Sequence, residues 1–340
     1  RVTCIDYSIM EELFMPYRLK TSIITASVGN LGDRFFTGGY KNKITLEEKL
    51  KKISSIQGLG GVELCYSPGS DESDPVEVKE LLKKYSLDAY VVNAPLVGEK
   101  DWMFGSLSST DEKTREKAVK LTMETIDFAE KAGSSIVNLW LGQDGFDYPF
   151  QVDYSKQLDA ITASVRECAD YNRNISVSLE FKPREPRNRA LLNNIGNTLF
   201  IADRIDRENV GITIDNGHVL QNGENMAQAV ELCSKAGKLF NIHLNDNYAA
   251  WDDDMIIGSV HLIEYLEFFY ALQKVQYDGW CAIDIFPFRE DSFRATEESL
   301  RYMEIFNNWV NEVGIATIEK LIATSSVTDT LQFIRNTLFK

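Results

Sequence analysis

The chain has 340 residues, of which 44% are hydrophobic, and it carries a formal net charge of -15 with a pI near 4.8. This composition supports a large buried core, and the length suits a single α/β barrel. The negative charge opposes binding to nucleic acids or anionic membranes, because both require a basic surface. The sequence also has no apolar run near the roughly 20 residues that span a bilayer.

The cysteines and the first residues suggest a cellular compartment. The cysteines are far apart and form no CxxC pair; they are Cys4, Cys65, Cys168, Cys233 and Cys281. We interpret them as reduced thiols. Residues 1–4 also lack the charged-then-apolar pattern of a signal peptide. Both features predict a cytoplasmic protein.

Short apolar runs alternate with longer helical patterns along most of the chain. The runs predict eight strands at 22–28, 61–66, 89–94, 135–140, 176–181, 210–215, 240–245 and 280–286. Several are almost continuously apolar, as is typical of parallel strands covered on both faces. Helices are predicted at 45–56, 109–132, 155–169, 197–205, 226–236, 260–272 and 295–313. The first two begin at capping boxes, Thr45 to Glu48 and Ser109 to Glu112.

This alternation predicts an α/β fold of the (β/α)8 TIM-barrel type. An open, doubly wound sheet is disfavoured because residues 28–32 do not form a phosphate-binding fingerprint. We expect a catalytic barrel domain over 1–314 and a C-terminal helical extension over 315–340. The extension either packs on the barrel or holds a neighbouring subunit.

Polar residues end the last four predicted strands. They are Glu180, Asp215, His243 and Asp284. Barrel enzymes place their chemistry at the carboxyl ends of the strands, so these side chains should meet at one mouth. Unpaired carboxylates beside an apolar core are costly, and a divalent cation would compensate them. Oxygen-rich ligands with imidazole suit Mn²⁺, Mg²⁺ or Co²⁺ better than structural Zn²⁺.

A second acidic cluster follows the seventh strand, at Asp252, Asp253 and Asp254. Such a run often faces solvent. Beside the same mouth it would instead hold a second metal ion together with His218, and Asp215 would bridge the two ions.

Other side chains near the mouth fit a sugar pocket. Lys182 lies two residues after Glu180, so on a strand it shares that face. Trp102, Trp140 and Phe286 fall at or after strand ends, where aromatic rings either wall a sugar pocket or pack in the core. The third histidine, His261, lies in a predicted helix and receives no role.

Several segments together carry a family resemblance. They are 139–145 (LWLGQDG), 180–187 (EFKPREPR), 215–218 (DNGH), 242–245 (IHLN), 252–254 (DDD) and Asp284. In this order they resemble the xylose isomerase-like TIM-barrel superfamily, most closely the metal-dependent aldose–ketose isomerases of the xylose and rhamnose isomerase type. His243 stands as in the rhamnose branch.

The resemblance implies ligands, roles and a reaction. One metal would be held by Glu180, Asp215, His243 and Asp284, and a second by Asp215, His218, Asp252 and Asp254. Mn²⁺ is favoured, with Mg²⁺ or Co²⁺ as alternatives, at one or two ions per chain. The implied reaction is a metal-assisted hydride shift between the first two carbons of an open-chain sugar. The implied catalytic residues are Lys182, Glu180, His218 and Asp254, and the implied substrate contacts are Trp102, Trp140, Lys182, Arg187 and Phe286.

One departure affects the substrate. Xylose isomerases carry a histidine after strand two for ring opening, whereas residues 63–67 here read ELCYS. The sequence therefore does not support xylose as the substrate. We expect another small-molecule sugar, no nucleic acid or membrane partner, and a homo-oligomer.

Three other functions stay open within the same superfamily. The first is a single-metal sugar epimerase, although that pattern has Glu rather than Asp on strand eight. The second is a lyase acting on an oxidised sugar, such as a C-glycoside deglycosidase subunit with a small second subunit. The third is a barrel that binds without chemistry. The superfamily's DNA-repair endonucleases are disfavoured because only three histidines are present and the net charge is -15.

Overall fold

The structure, a computed structural model, describes residues 16–339. Eight parallel strands form its centre: β1 (Lys20–Ile24), β2 (Gly61–Cys65), β3 (Asp88–Asn93), β4 (Ile136–Trp140), β5 (Ser176–Glu180), β6 (Val210–Asp215), β7 (Leu239–Leu244) and β8 (Trp280–Ile283). Each strand pairs with its neighbours in chain order, and β1 also pairs with β8, with Ser22 opposite Ala282. The closed barrel confirms the predicted fold class and excludes the open sheet.

Helices surround the barrel within residues 16–339. They are α1 (Leu46–Ile53), α2 (Pro75–Tyr85), α3 (Glu112–Ala132), α4 (Tyr154–Tyr171), α5 (Ile195–Ile205), α6 (Asn216–Gln221), α7 (Met226–Lys235), α8 (Leu262–Lys274), α9 (Ser292–Val313), α10 (Ile315–Thr324) and α11 (Val327–Leu338). Short 3-10 turns occupy Thr25–Ser27 and Lys100–Trp102, and a two-stranded ribbon joins Gly145–Phe146 to Arg189–Ala190.

The helix starts show which sequence signals were correct. The capping box of Thr45 and Glu48 forms as predicted at α1. The box predicted at Ser109 is wrong, because Asp111 accepts from the Thr114 backbone N–H and begins α3 two residues later. Helix α2 was not predicted, although Asp74 as cap and Pro75 at its first position are ordinary start signals.

The first and last strands are shorter than predicted. They end at Ile24 and Ile283, whereas their apolar runs continue to 28 and 286. The continuing residues are used in packing around the mouth: Ile285 is buried and Phe286 lines a cavity there. An apolar run in the sequence therefore extends further than the hydrogen-bonded strand that it predicts.

The C-terminal extension consists of α10 and α11. Ile318 and Ile334 are buried, and the Trp309 indole on α9 donates to the Thr337 hydroxyl at 3.0 Å. The extension therefore packs on its own chain, while Ile322 and Leu331 stay exposed. A contact with a neighbouring subunit remains a prediction.

The free cysteines within the described residues are Cys65, Cys168, Cys233 and Cys281. Cys4 lies outside the described residues. None of the helices within residues 16–339 combines the length and apolar character that a membrane crossing requires.

Candidate metal centre and sugar pocket

The carboxyl ends of β5 to β8 bring the first predicted ligand set together. Glu180 and Asp215 end β5 and β6, His243 lies near the end of β7, and Asp284 follows β8. One ligand atom from each of these four residues lies within 4.8 Å of the others. The His243 Nδ1 is 3.4 Å from Asp284 Oδ2 and 3.6 Å from Glu180 Oε1. Such spacings match the ~3–4 Å between neighbouring ligands of an ion with bonds of ~2.1 Å.

A second set lies beside the first and shares one residue with it. Asp215, His218 and Asp252 each offer a ligand atom within 4.8 Å of the others. The His218 Nε2 is 3.1 Å from Asp252 Oδ2, and its Nδ1 is 3.7 Å from Asp215 Oδ1. Asp254 lines the same cavity but does not belong to this close group. The shared Asp215 is placed where a bridging ligand would stand.

Buried polar atoms without hydrogen bonds indicate that this site fits a cation. Within the described residues, the Nδ1 atoms of His218 and His243 and the Oδ1 of Asp252 are buried and make no hydrogen bond. Leaving a buried donor or acceptor unsatisfied costs ~1–3 kcal/mol, so such atoms require an explanation. A divalent ion held by imidazole and carboxylate would supply the missing partner for each.

The backbone explains the turn that carries Asp215 and His218. Asp215 caps the short helix α6, accepting from the His218 backbone N–H at 2.9 Å. Gly217 lies under Asn245 so closely that a Cβ would stand 2.0 Å from Asn245 Oδ1. Only glycine permits this approach, and the Asn245 amide then donates to both Asp215 oxygens at 3.0 and 3.2 Å.

Sequence reasoning missed the residues that orient the ligands. Glu63 on β2 is fully buried, and its Oε2 lies 3.0 Å from His243 Nε2. The Asn241 amide donates to the other oxygen of Glu63 at 2.9 Å. On β4, the Asn138 amide donates to Glu180 Oε2 at 2.6 Å. A glutamate inside an apolar strand was a usable signal for Glu63, because a lone buried carboxylate is costly.

The electrostatics of the cluster reflect its excess of carboxylates. Burial, reinforced by Asp252, Asp284 and Glu180, raises the pKa of Asp215 to about 7, although His218 opposes the shift. Burial alone would lower the pKa of His218, but Asp215 and Asp252 raise it to about 9. The pKa of Asp254 is raised well above its ordinary value by burial and then by neighbouring carboxylates. The site therefore demands positive charge, from protons or from metal ions.

Lys182 lies at the edge of the second set. Its ammonium group is 2.7 Å from Asp252 Oδ2, 3.4 Å from Glu185 Oε2, and 5.1 Å from the centre of the Trp140 ring. Although burial lowers the pKa of Lys182, Asp252 raises it more, and the amine stays protonated. Lys182 is consequently a fixed hydrogen-bond donor beside the ligands.

An inner cavity of about 530 Å³ contains these groups. Trp140, Lys182 and Phe286 line it together with Glu180, His218, His243, Asp252, Asp254 and Asp284. Two predicted substrate contacts do not. Trp102 is 1% exposed and packs against Lys117, with its ring 5.2 Å from the ammonium group. Arg187 is also buried. It lines neither this cavity nor the neighbouring larger cavity, which has a volume of about 1030 Å³.

The Arg187 side chain ties loops together. Its Nε is 2.9 Å from Asp147 Oδ2, and its terminal nitrogens donate to the Met103 and Gln143 carbonyls and the Gln151 amide oxygen. We expect Arg187→Met to destabilise the fold by ~2 kcal/mol, less than the ~3–5 for a fully buried pair because Asp147 is 26% exposed. Chemical denaturation measures this loss. Unchanged stability combined with weakened sugar binding would instead place Arg187 in the sugar site.

The fold and site have relatives among known proteins. Residues 50–306 match the model of the xylose isomerase-like TIM-barrel family. A xylose isomerase from Thermus thermophilus is 28% identical over 250 residues, 69% of this chain and 64% of that protein. The chain thus spans just under two thirds of this relative's length.

Solved structures with the same fold include sugar epimerases. A D-tagatose 3-epimerase-like protein has a TM-score of 0.67 at 24% identity, covering 86% of this chain and all of the other. An L-ribulose 3-epimerase has a TM-score of 0.69 at 15% identity, covering 91% and 99%. At these identities the likeness concerns the fold. Because the family model covers most of the barrel, the chain belongs to the xylose isomerase-like TIM-barrel family.

Proposed function

We propose that this protein is a metal-dependent sugar isomerase that interconverts an aldose and a ketose by a hydride shift. The observation that carries the proposal is the pair of adjacent ligand sets that share Asp215. The similarity to a xylose isomerase supports the same reaction class. Glu180, Asp215, His243 and Asp284 would hold one ion, and Asp215, His218, Asp252 and Asp254 the second, with Mn²⁺ as the first candidate.

Bound divalent ions would polarise the substrate carbonyl and stabilise the negative charge that develops on the adjacent oxygens. The chain's own groups do the rest. Lys182 donates a hydrogen bond to a substrate oxygen and keeps its charge because Asp252 faces it at 2.7 Å. Asp254 lines the same cavity, and we assign it to take up the hydroxyl proton of the substrate. Trp140 and Phe286 wall the inner cavity and exclude water from the migrating hydride.

Glu180 and His218 stand at the junction of the two sets, with Glu180 Oε1 and His218 Nδ1 3.4 Å apart. We assign them to the catalytic group because both line the inner cavity beside the two candidate ligand sets. Their part is to orient the reacting end of the sugar. Asn138 in turn fixes Glu180 from behind.

An epimerase working by proton transfer is the second candidate. Glu180 and Asp284 both lie against His243 Nδ1, at 3.6 and 3.4 Å, so two carboxylates approach the same point. Such a pair supplies two proton-transfer groups at one site, as inversion at a single carbon requires. The similar solved structures named as epimerases motivate this alternative.

Incubation of the Mn²⁺-loaded protein with aldoses and ketoses in D₂O separates the two. We expect interconversion of an aldose and a ketose with no deuterium on the first two carbons, observed by NMR. A ketose inverted at one carbon, with deuterium there, would favour the epimerase. Turnover of no sugar in the panel would reject both.

Lys182→Met serves as the catalytic control in the same assay. It removes a donor aimed at developing charge, which typically costs ~10²–10³ in kcat. A variant that retains wild-type turnover would exclude Lys182 from the reaction.

A further inference from the structure

A second, larger cavity opens directly above the inner one. Its volume is about 1030 Å³, against about 530 Å³ for the inner cavity. The two share lining residues on several loops: Val97, Trp140, Lys182, Glu185, Asp252 and Phe288. The two cavities therefore adjoin, and the smaller one contains the candidate ligands.

The two cavities differ in chemistry. The inner one contains the acidic and imidazole ligands, whereas the outer one is lined by aromatic side chains from three loops, Phe35, Tyr248, Trp251 and Phe288 among them. Phe35 is 83% exposed and Trp251 is 50% exposed, so these rings are open to a ligand. Aromatic rings with nearby polar groups are how proteins hold the apolar faces of sugar rings.

Charged groups complete the outer wall. The Arg34 guanidinium lies 4.3 Å from the centre of the Trp251 ring and 5.1 Å from that of Phe35, linking the loops after β1 and β7. Arg289, after β8, reaches Asp33 at 3.1 Å. These contacts fix the rim in place and leave donors and acceptors available for hydroxyl groups.

We propose that the outer cavity is a subsite for a second sugar ring, so that the substrate is a reducing disaccharide or a similarly sized glycosylated sugar. Small-molecule pockets typically have ~300–1,000 Å³, so the inner cavity alone accommodates one open-chain sugar. The outer cavity then lies beyond the space that a monosaccharide in the inner cavity occupies. The reducing-end sugar occupies the inner cavity, and the second ring, joined through a distal oxygen, lies in the outer cavity against the exposed aromatic side chains of its wall, Trp251 and Phe35 among them.

This inference rests on the proposed function for the inner sugar but requires no change in its chemistry. The hydride and proton move only between the first two carbons and their oxygens. The glycosidic bond is neither formed nor broken, and the second ring contributes binding alone.

Equilibrium binding tests the subsite without relying on turnover. Sugars that share a reducing end are compared on the Mn²⁺-loaded protein by calorimetry: glucose with cellobiose, maltose and lactose, and xylose with xylobiose. We expect at least one disaccharide to bind ten-fold or more tightly than its reducing-end monosaccharide. Trp251→Ala and Phe35→Ala should each bring that ratio toward one.

Phe200→Ala is the matched control. Phe200 is 51% exposed on α5 and has Arg204 over its ring at 5.9 Å, yet it does not line either cavity. Phe35→Ala keeps the test valid if Trp251→Ala disturbs the adjacent Asp252. The subsite is rejected if no disaccharide binds more tightly than its monosaccharide, or if the preference survives both substitutions.

Two further readouts separate the possible causes of failure. Sedimentation that shows a dimer lost in both Trp251→Ala and Phe35→Ala would assign the aromatic rim to a second copy of the chain and overturn the subsite. Deuterium NMR of the monosaccharides and the disaccharides tests the proposed isomerase independently, so a disaccharide preference without aldose–ketose conversion of either kind of sugar would reject that function and keep the subsite.

Discussion

Asp215→Asn is expected to reduce bound Mn²⁺ to less than one ion per chain and kcat by on the order of 10³-fold or more. Asp215 is the one residue common to both ligand groups, and it is fully buried. An asparagine keeps one oxygen but loses the negative charge, so neither ion keeps its ligand set. Metal content after gel filtration, together with kcat, measures the effect.

Thermal unfolding gives the same prediction an independent readout. A ligand that binds only the folded protein stabilises it by ~2.7 kcal/mol when present at 100 times its Kd. Wild type should therefore gain stability with Mn²⁺, and Asp215→Asn should not. Asp144→Asn is the control, because Asp144 is equally buried but accepts from Ser106 and Ser108 instead. An Asp215→Asn protein that holds two ions would refute the bridging assignment.

Glu63→Gln is expected to weaken Mn²⁺ affinity by ~10–100-fold, the usual cost of losing an outer-shell partner of a metal-binding histidine. Donation from His243 Nε2 to Glu63 Oε2, 3.0 Å away, keeps the proton on that nitrogen. The lone pair of Nδ1 then faces Asp284 and Glu180. A glutamine can present its amide N–H instead and select the opposite tautomer.

Titration of Mn²⁺ against a competing chelator measures this change directly. Glu72→Gln provides a matched control: Glu72 is also a buried glutamate, but it accepts from Thr25 and the Cys65 backbone and touches no ligand. We expect Glu72→Gln to bind Mn²⁺ as wild type does. Equal affinity in wild type and Glu63→Gln would show that Glu63 is a core residue without influence on the site.

The convergence of the candidate ligands could be predicted from sequence because of how parallel barrels are built. Carboxyl ends of successive strands meet at one mouth, so Glu180, Asp215, His243 and Asp284 had to converge once the strands were identified. Loop conformations follow no such rule. Trp102 and Arg187 also follow strand ends. The Trp102 ring nevertheless packs against Lys117, and the Arg187 side chain binds groups on neighbouring loops.

The partners of the supporting residues were hidden for a different reason. Glu63, Asn138 and Asn241 lie inside strands, where local sequence does not tell whether a polar side chain meets a partner across the barrel. The Glu63 contact with His243 joins residues 180 positions apart. Only the closure of the barrel brings β2 and β7 around the same core, with β1 and β8 between them.

The number of Mn²⁺ ions per chain, measured in wild type, Asp252→Ala and Asp284→Ala, tests the two-ion account most directly. We predict two ions in wild type and one in each variant, because Asp252 and Asp284 belong to different ligand groups. A single ion in all but Asp284→Ala would contradict the second site. It would reduce the Asp252–Asp254 segment to a partner of Lys182 and favour the single-metal epimerase.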